Sequence, residues 1–252
     1  MSGFDPIAIV GMGCIFPDAY RPEALWQGLI DHRCFLTTAD PDTFRTERVH
    51  AATDDAGKIW PLVGGYIRKF EAVADPGAFG MDAQLFQQLD PLLQWSLAAA
   101  GQALRNVGQG GIAPERQGLI MGNLSLPSRS FSRYAESIWL QAAAPQLAGT
   151  AGHGMPEPLQ RLMSGYPAHY VAETLQLKGC AYALDAACAS ALYAIKLACD
   201  QLQQRKADLM LAGAVNGTDP LFLHAGLRRK TCPMWSAMRR ARHSATRSSL
   251  RA

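Results

Sequence analysis

The sequence predicts an α/β fold whose largely parallel sheet is covered by helices on both faces. Apolar runs of strand length, at residues 7–10, 117–122, 180–184 and 207–215, alternate with stretches whose apolar residues recur at helical spacing. Several of these runs are apolar at successive rather than alternate positions, the pattern of strands buried on both sides. A third observation is size: 252 residues, 48% hydrophobic and 18% charged, allow a sizeable core in one large domain or two small ones.

Taken in order, Ile7-Ala8-Ile9-Val10 is β-branched and apolar and reads as a buried strand. Gly11-Met12-Gly13-Cys14-Ile15-Phe16-Pro17 follows. A dinucleotide-binding fingerprint would need a third glycine where Phe16 stands and a helix opening there, and Pro17 disfavours helical geometry at Phe16. A helix is predicted from Pro22 to Asp31, with Leu25, Trp26, Leu29 and Ile30 on its inner face. Residues 33–80 are irregular, with Asp-Pro and Gly signals and a short strand beginning near Gly64-Gly65-Tyr66-Ile67. From Asp82 to about Asn106 the pattern is helical, interrupted near Asp90-Pro91. Residues 117–122 are a second buried strand, 124–129 a polar loop, and 131–140 return to helical spacing. Residues 141–158, rich in Ala, Gly and Pro, read as a loop or lid. A helix over residues 167–177 is expected to stop at Lys178-Gly179. A strand over 180–184 then leads into a helix marked by Leu192, Ile195, Cys199 and Leu202, and residues 207–215 form a further buried strand.

Composition narrows the function classes. The six cysteines stand at 14, 34, 180, 188, 199 and 232. No two are separated by two residues, so neither a zinc knuckle nor a dithiol redox pair is indicated, and no metal site is predicted. The N-terminus carries an acid and no basic cluster, unlike a signal peptide. No apolar run approaches the roughly 20 residues that cross a bilayer. These features predict a cytoplasmic protein with reduced thiols and no membrane partner. The formal charge of +3 comes from one end: residues 228–252 hold seven Arg and Lys230 and no acid. Removing these eight from the 24 basic residues leaves 16 against 21 acids, about −5 for residues 1–227. The body has no basic stripe with interleaved aromatics, so nucleic acid is not an expected partner.

One stretch carries chemistry. In Leu184-Asp185-Ala186-Ala187-Cys188-Ala189-Ser190-Ala191-Leu192, Cys188 falls where a strand turns into a helix, between small residues that permit a tight turn. The first N–H groups of the helix have no intrahelical partner, and the helix dipole is positive there. A thiolate at that point is stabilised, and the same N–H groups could hold the oxyanion of a thioester under attack. That pattern suits a cysteine that accepts an acyl group. The local pattern equally fits an ordinary buried cysteine. Asp185 reads as a residue that caps or hydrogen-bonds near the turn.

These residues resemble a known family, the β-ketoacyl synthases. Residues 7–17 are similar to their opening, Asp185-Ala186-Ala187-Cys188-Ala189-Ser190-Ala191-Leu192 to their active-site motif, and residues 207–216 to the strand that follows. Asn123-Leu124-Ser125-Leu126-Pro127-Ser128-Arg129-Ser130 looks most like the ketosynthase of multidomain synthases that make polyunsaturated or glycolipid acyl chains. The resemblance spans residues 6 to 227. It implies the N-terminal half of a thiolase-like layered α-β-α sandwich. It also implies a homodimer paired through the strand at residues 181–185, and Cys188 as nucleophile. The implied substrate is an acyl group on the phosphopantetheine arm of an acyl carrier protein, with no cofactor bound directly. Decarboxylative condensation with a malonyl thioester, as in fatty-acid or polyketide synthesis, would follow.

The chain departs from the family in one respect. Condensation in the family uses two histidines, one in a His-Gly-Thr-Gly motif and one after a later Lys and Asn. The six histidines here, at 32, 50, 153, 169, 224 and 243, stand in neither context. His169 and His224 read as packing or surface residues, and His153 as solvated. Residues 1–227 are therefore expected to be a truncated ketosynthase half capable of acylation only, or inactive. Residues 228–252 are expected to be an unrelated basic tail produced by a reading-frame change. A non-catalytic dimer partner and a non-functional product are the alternatives. In the family, part of the cover on such strands comes from the second half, so residues 1–227 alone are expected to expose apolar surface and to associate.

Overall fold

The structure, a computed structural model, describes residues 5–40, 63–105, 107, 111–123, 138 and 163–217. The loop expected at 124–129, the helix expected at 131–140, the lid expected at 141–158 and the basic tail all fall outside these residues, apart from a helical Ile138. The chain divides into two compact units, Met1–Phe35 with Ile67–Gly217, and Leu36–Tyr66 with Thr218–Ala252. In the second unit, β1 (Thr37–Thr38) pairs antiparallel with β2 (Val63–Gly64), Thr37 opposite Gly64. This is the short strand expected near Gly64.

The first unit is built on three parallel strands: β3 (Gln117–Asn123), β4 (Ala181–Leu184) and β5 (Leu209–Val215). Their order is β4-β3-β5, with Leu119 of β3 level with Ala181 on one side and Leu211 on the other. Every residue of the central β3 is buried. Alternation then sorts the side chains. Leu119 and Met121 face one way, into a core with Leu97, Ala168 and Val171, while Ile120 faces the other way onto Ala194 and Ala198. The first face is covered by α3 (Pro91–Leu104) and α4 (Tyr166–Thr174), the second by α5 (Ser190–Gln203). The result is the α-β-α layering that the sequence predicts.

The helix boundaries follow from capping. Asp82 opens α2 (Ala83–Gln88) by accepting hydrogen bonds from the N–H groups of Gln84 and Leu85. Asp90 accepts from Leu92 N–H and opens α3, with Pro91 in its first turn. The interruption expected near Asp90-Pro91 is therefore a new N-cap. The buried amide of Gln94 donates to Phe86 O at 2.8 Å, tying α3 to the end of α2. The helix α4 stops before the expected Lys178-Gly179. Its terminator is Gln176, at φ 58°, because a left-handed residue ends the ladder wherever its side chain tolerates it.

Three sequence expectations are corrected. Residues 7–10 belong to no strand and are exposed, Ile9 by 85%. An apolar run becomes a strand only when a neighbour offers a ladder; here the segment just after the run, from Gly11 to Cys14, is the part that lies against a helix. A Cβ on Gly11 would sit 1.9 Å from Ala103 O, and one on Gly13 2.0 Å from Ala99 O, both on α3. Cys14 N–H donates to Gln102 Oε1 of the same helix at 3.1 Å. The two glycines thus serve close packing on a helix backbone, not a phosphate cradle. Second, α1 (Pro22–Ile30) buries Gly28 against the Phe35 ring and leaves Trp26, Leu29 and Ile30 exposed. Third, α5 packs through its alanines, Ala194 and Ala198. Leu192 and Ile195 of the expected stripe are exposed, Leu192 by 71%, and β5, at an edge of the sheet formed by the described residues, is half-buried. Small residues win the inner face because they let helix and sheet approach closely. Among the described residues, no helix is long and apolar enough to cross a membrane.

Candidate functional site

Because β3, β4 and β5 are parallel, their carboxyl ends lie at one edge of the sheet, where open α/β sheets hold their ligands. The chain leaves β4 at Leu184, passes Asp185 and Ala186, makes a 3-10 turn over Ala187–Ala189 and enters α5 at Ser190. Cys188 sits in that turn, between strand end and helix start, and is exposed. The structure thus places Cys188 at the surface of the turn and not in the core. No side chain caps α5 at Ala189; the 3-10 turn runs into the helix, Ala189 N–H donating to Ala186 O and Ser190 N–H to Ala187 O, and the positive end of the 14-residue helix dipole lies beside the thiol.

The turn is held by a small hydrogen-bond network. Asp185 Oδ1 accepts from Ala187 N–H at 2.8 Å, the role that the sequence suggests for it. Ser190 Oγ accepts from Ala186 N–H at 2.9 Å and donates to Ala187 O at 2.8 Å. The buried hydroxyl of Ser190 thus satisfies both a donor and an acceptor of the turn backbone. Below it lies Gly122, level with Leu184 of β4 and Ala214 of β5. A Cβ at Gly122 would stand 2.6 Å from Ser190 Cβ and 3.1 Å from Ala214 Cβ. Glycine there lets the start of α5 settle onto the sheet. Next to it, buried Asn123 donates from Nδ2 to Ser164 O at 2.7 Å, fixing the end of β3. The sequence reading missed Ser190 and Gly122. The available signal for the first was a small hydroxyl residue at the opening position of the helix; for the second, only the packing reveals the need.

Two other thiols are in less reactive settings. Burial pushes the Cys180 thiol above its ordinary value, and burial followed by the charge of Glu23 does the same to Cys14. His169 lies on the exposed face of α4, its Nε2 3.7 Å from Glu173 Oε2, the surface role expected of it. His32 follows α1 in the left-handed region at φ 54°. His153 and His224 are outside the described residues.

Comparison with known proteins bears on this geometry. The family model described as beta-ketoacyl synthase, N-terminal domain, matches residues 4–247, a range reaching past the composition break at residue 227. Among curated proteins, one component of the phenolphthiocerol/phthiocerol polyketide synthase of Mycobacterium tuberculosis is 31% identical over 229 residues, 85% of this chain and 13% of the relative. Another component of the same synthase, from the same organism, is 29% identical over 241 residues, 93% of this chain and 12% of the relative. The chain thus spans about an eighth of the length of these relatives. Among solved structures, one named PfaC Keto synthase-Chain length factor has a TM-score of 0.77 and 34% identity, covering 87% of this chain and 25% of the other. The oxazolomycin ketosynthase domain OzmH KS7 of Streptomyces albus, at 21% identity and a TM-score of 0.63 over 86% of this chain and 35% of the other, shares the fold. A parallel sheet that delivers its carboxyl end to a cysteine turn, and a family model spanning nearly the whole chain, lead to one conclusion: this chain belongs to the β-ketoacyl synthase family through that family's N-terminal domain, with a thiolase-like α/β fold.

Proposed function

We propose that this chain is the acyl-accepting part of a β-ketoacyl synthase, an acyltransferase in polyketide or fatty-acid synthesis, with Cys188 as its nucleophile. In this reading the Cys188 thiolate attacks the carbonyl of an acyl thioester. The new S–C bond forms as the bond to the carrier's sulfur breaks, and the departing thiolate takes up a proton. The positive end of the α5 dipole stabilises the oxyanion in between. The acyl group arrives on the phosphopantetheine arm of an acyl carrier protein, so no cofactor is held by the chain itself. Condensation with a decarboxylating malonyl thioester needs the two histidines of the family, and the 252 residues carry neither motif. The chain's own chemistry is therefore acylation. Since β4 is an edge strand among the described residues, a second copy can pair along residues 181–185, and we include a homodimer in the proposal.

The observation that carries the reading is the exposed Cys188 in the turn between β4 and α5, at the carboxyl edge of a parallel sheet. The test is intact mass after incubation with an acyl thioester. One acyl adduct on Cys188 is expected, absent in Cys188→Ala, and no CO2 is expected from malonyl carrier protein. Failure of the wild type to take up the acyl group, with Cys188 still freely alkylated, would point instead to the non-catalytic dimer partner.

A further inference from the structure

The residue before Cys188 is in an unusual conformation. Ala187 has φ 49°, in the left-handed region. Several other non-glycine residues share that region, and three of them, His32, Gln176 and Arg205, come just after helices and stop them. Ala187 instead opens the turn that leads into a helix. It is also a poor choice for the role. Its Cβ crowds the carbonyl, and it lacks the short polar side chain through which Asn and Asp offset that crowding. Such a conformation persists only where its surroundings impose it. Here they do so from both sides: Asp185 Oδ1 holds the N–H of Ala187, and Ser190 holds its C=O through Oγ as well as through its own N–H.

We propose that Asp185 and Ser190 are positioning residues that clamp Ala187 in the left-handed region and so fix Cys188 in the attacking orientation. The proposal rests on the acyl-acceptor reading above. Ser190 is the stronger arm. It is buried, it also accepts from Ala186 N–H, and its Cβ is pressed against Gly122, which leaves its hydroxyl little freedom. Asp185 is exposed and holds one bond only. The device sets the backbone at 187 before substrate arrives, so that the sulfur and the first N–H groups of α5 do not need to reorganise during attack.

The experiment measures acylation rate by intact mass, iodoacetamide alkylation rate, and thermal midpoint, for four variants of the full chain. Ser190→Ala and Asp185→Ala are expected to slow acylation by roughly ten- to a hundredfold, the scale on which small misplacements act. Asp185→Asn keeps an acceptor oxygen and is expected to stay near the wild-type rate. The decisive variant adds Ala187→Gly to Ser190→Ala. Glycine accepts φ 49° without a clamp, so it should restore part of the acylation rate that Ser190→Ala loses. A merely structural role for Ser190 predicts no such rescue of acylation. A wild-type acylation rate in Ser190→Ala, or no rescue by Ala187→Gly, would overturn the proposal. If the wild type takes up no acyl group, the acyl-acceptor reading fails by itself. A crystal structure of Ser190→Ala then decides the clamp: Ala187 leaving the left-handed region supports it, and Ala187 staying there overturns it.

Discussion

A methyl group added to Gly13 would land 2.0 Å from a helix carbonyl, and this residue-scale fact resolves a sequence motif. Gly11 and Gly13 offered a weak dinucleotide signature, and the structure spends both on close approach to α3. Gly13→Ala is expected to lower stability by about 1–3 kcal/mol through overpacking. Equilibrium urea unfolding checks it, and an unchanged midpoint would mean that the segment does not depend on α3. A second residue-scale prediction concerns Arg116 and Asp208, which join the starts of β3 and β5. The guanidinium binds the carboxylate through two nitrogens, one bond at 2.6 Å, and also reaches Arg205 O. The Arg116 hydrogen bonds hold the Asp208 carboxyl below its ordinary value of 3.8. A lowered folded value means that the contribution is complete above about pH 3.8 and fades as pH falls through the folded value. The wild type should therefore exceed Asp208→Asn in stability near pH 6, with the gap closing in stronger acid. Both groups are solvated, so the gap is small, and a gap that widens in acid would contradict the assignment. Among single residues, the place of Cys188 in the turn and the hydrogen bond of Asp185 were legible because both are local. Ser190 and Gly122 were not, because their roles depend on what the fold places against them.

At the scale of elements, burial rather than periodicity decides which helix face is the inner one. The apolar stripe of α5, with Leu192 and Ile195, has helical spacing, yet the sheet takes the alanine face. The same inversion occurs in α1, where Gly28 rather than Trp26 is inside. A sequence pattern shows that two faces differ but not which neighbour each will meet, and both faces of these helices are apolar enough to be buried. Strand propensity meets a similar limit. Residues 7–10 and 207–215 look alike in sequence, yet only the second finds a partner: all seven residues of β5 within it pair in register with β3. Caps are the reverse case. Asp82, Asp90 and Pro91 act within three residues of themselves, and the breaks they impose were readable without a fold.

For the molecule as a whole, the unsatisfied surfaces point to association. The outer edge of β4, the exposed stripe of α5 and the exposed faces of residues 9–12 and of α1 leave large apolar side chains in water. Sedimentation is expected to show concentration-dependent association, weakened by Tyr182→Lys, which puts a charge on the edge strand. A monodisperse, cooperatively unfolding monomer would contradict this expectation, and a dimer unaffected by that substitution would place the interface elsewhere. By itself, the sequence determined the α/β class, the parallel order implied by alternating elements, the capped helix starts and the turn that holds Cys188, because each rests on interactions between near neighbours in the chain. Only the tertiary structure decided which apolar runs became strands, which helix faces turned inward and that Ser190 would lock the turn. Those outcomes depend on partners brought together from distant parts of the chain, and no local pattern encodes who the partner is.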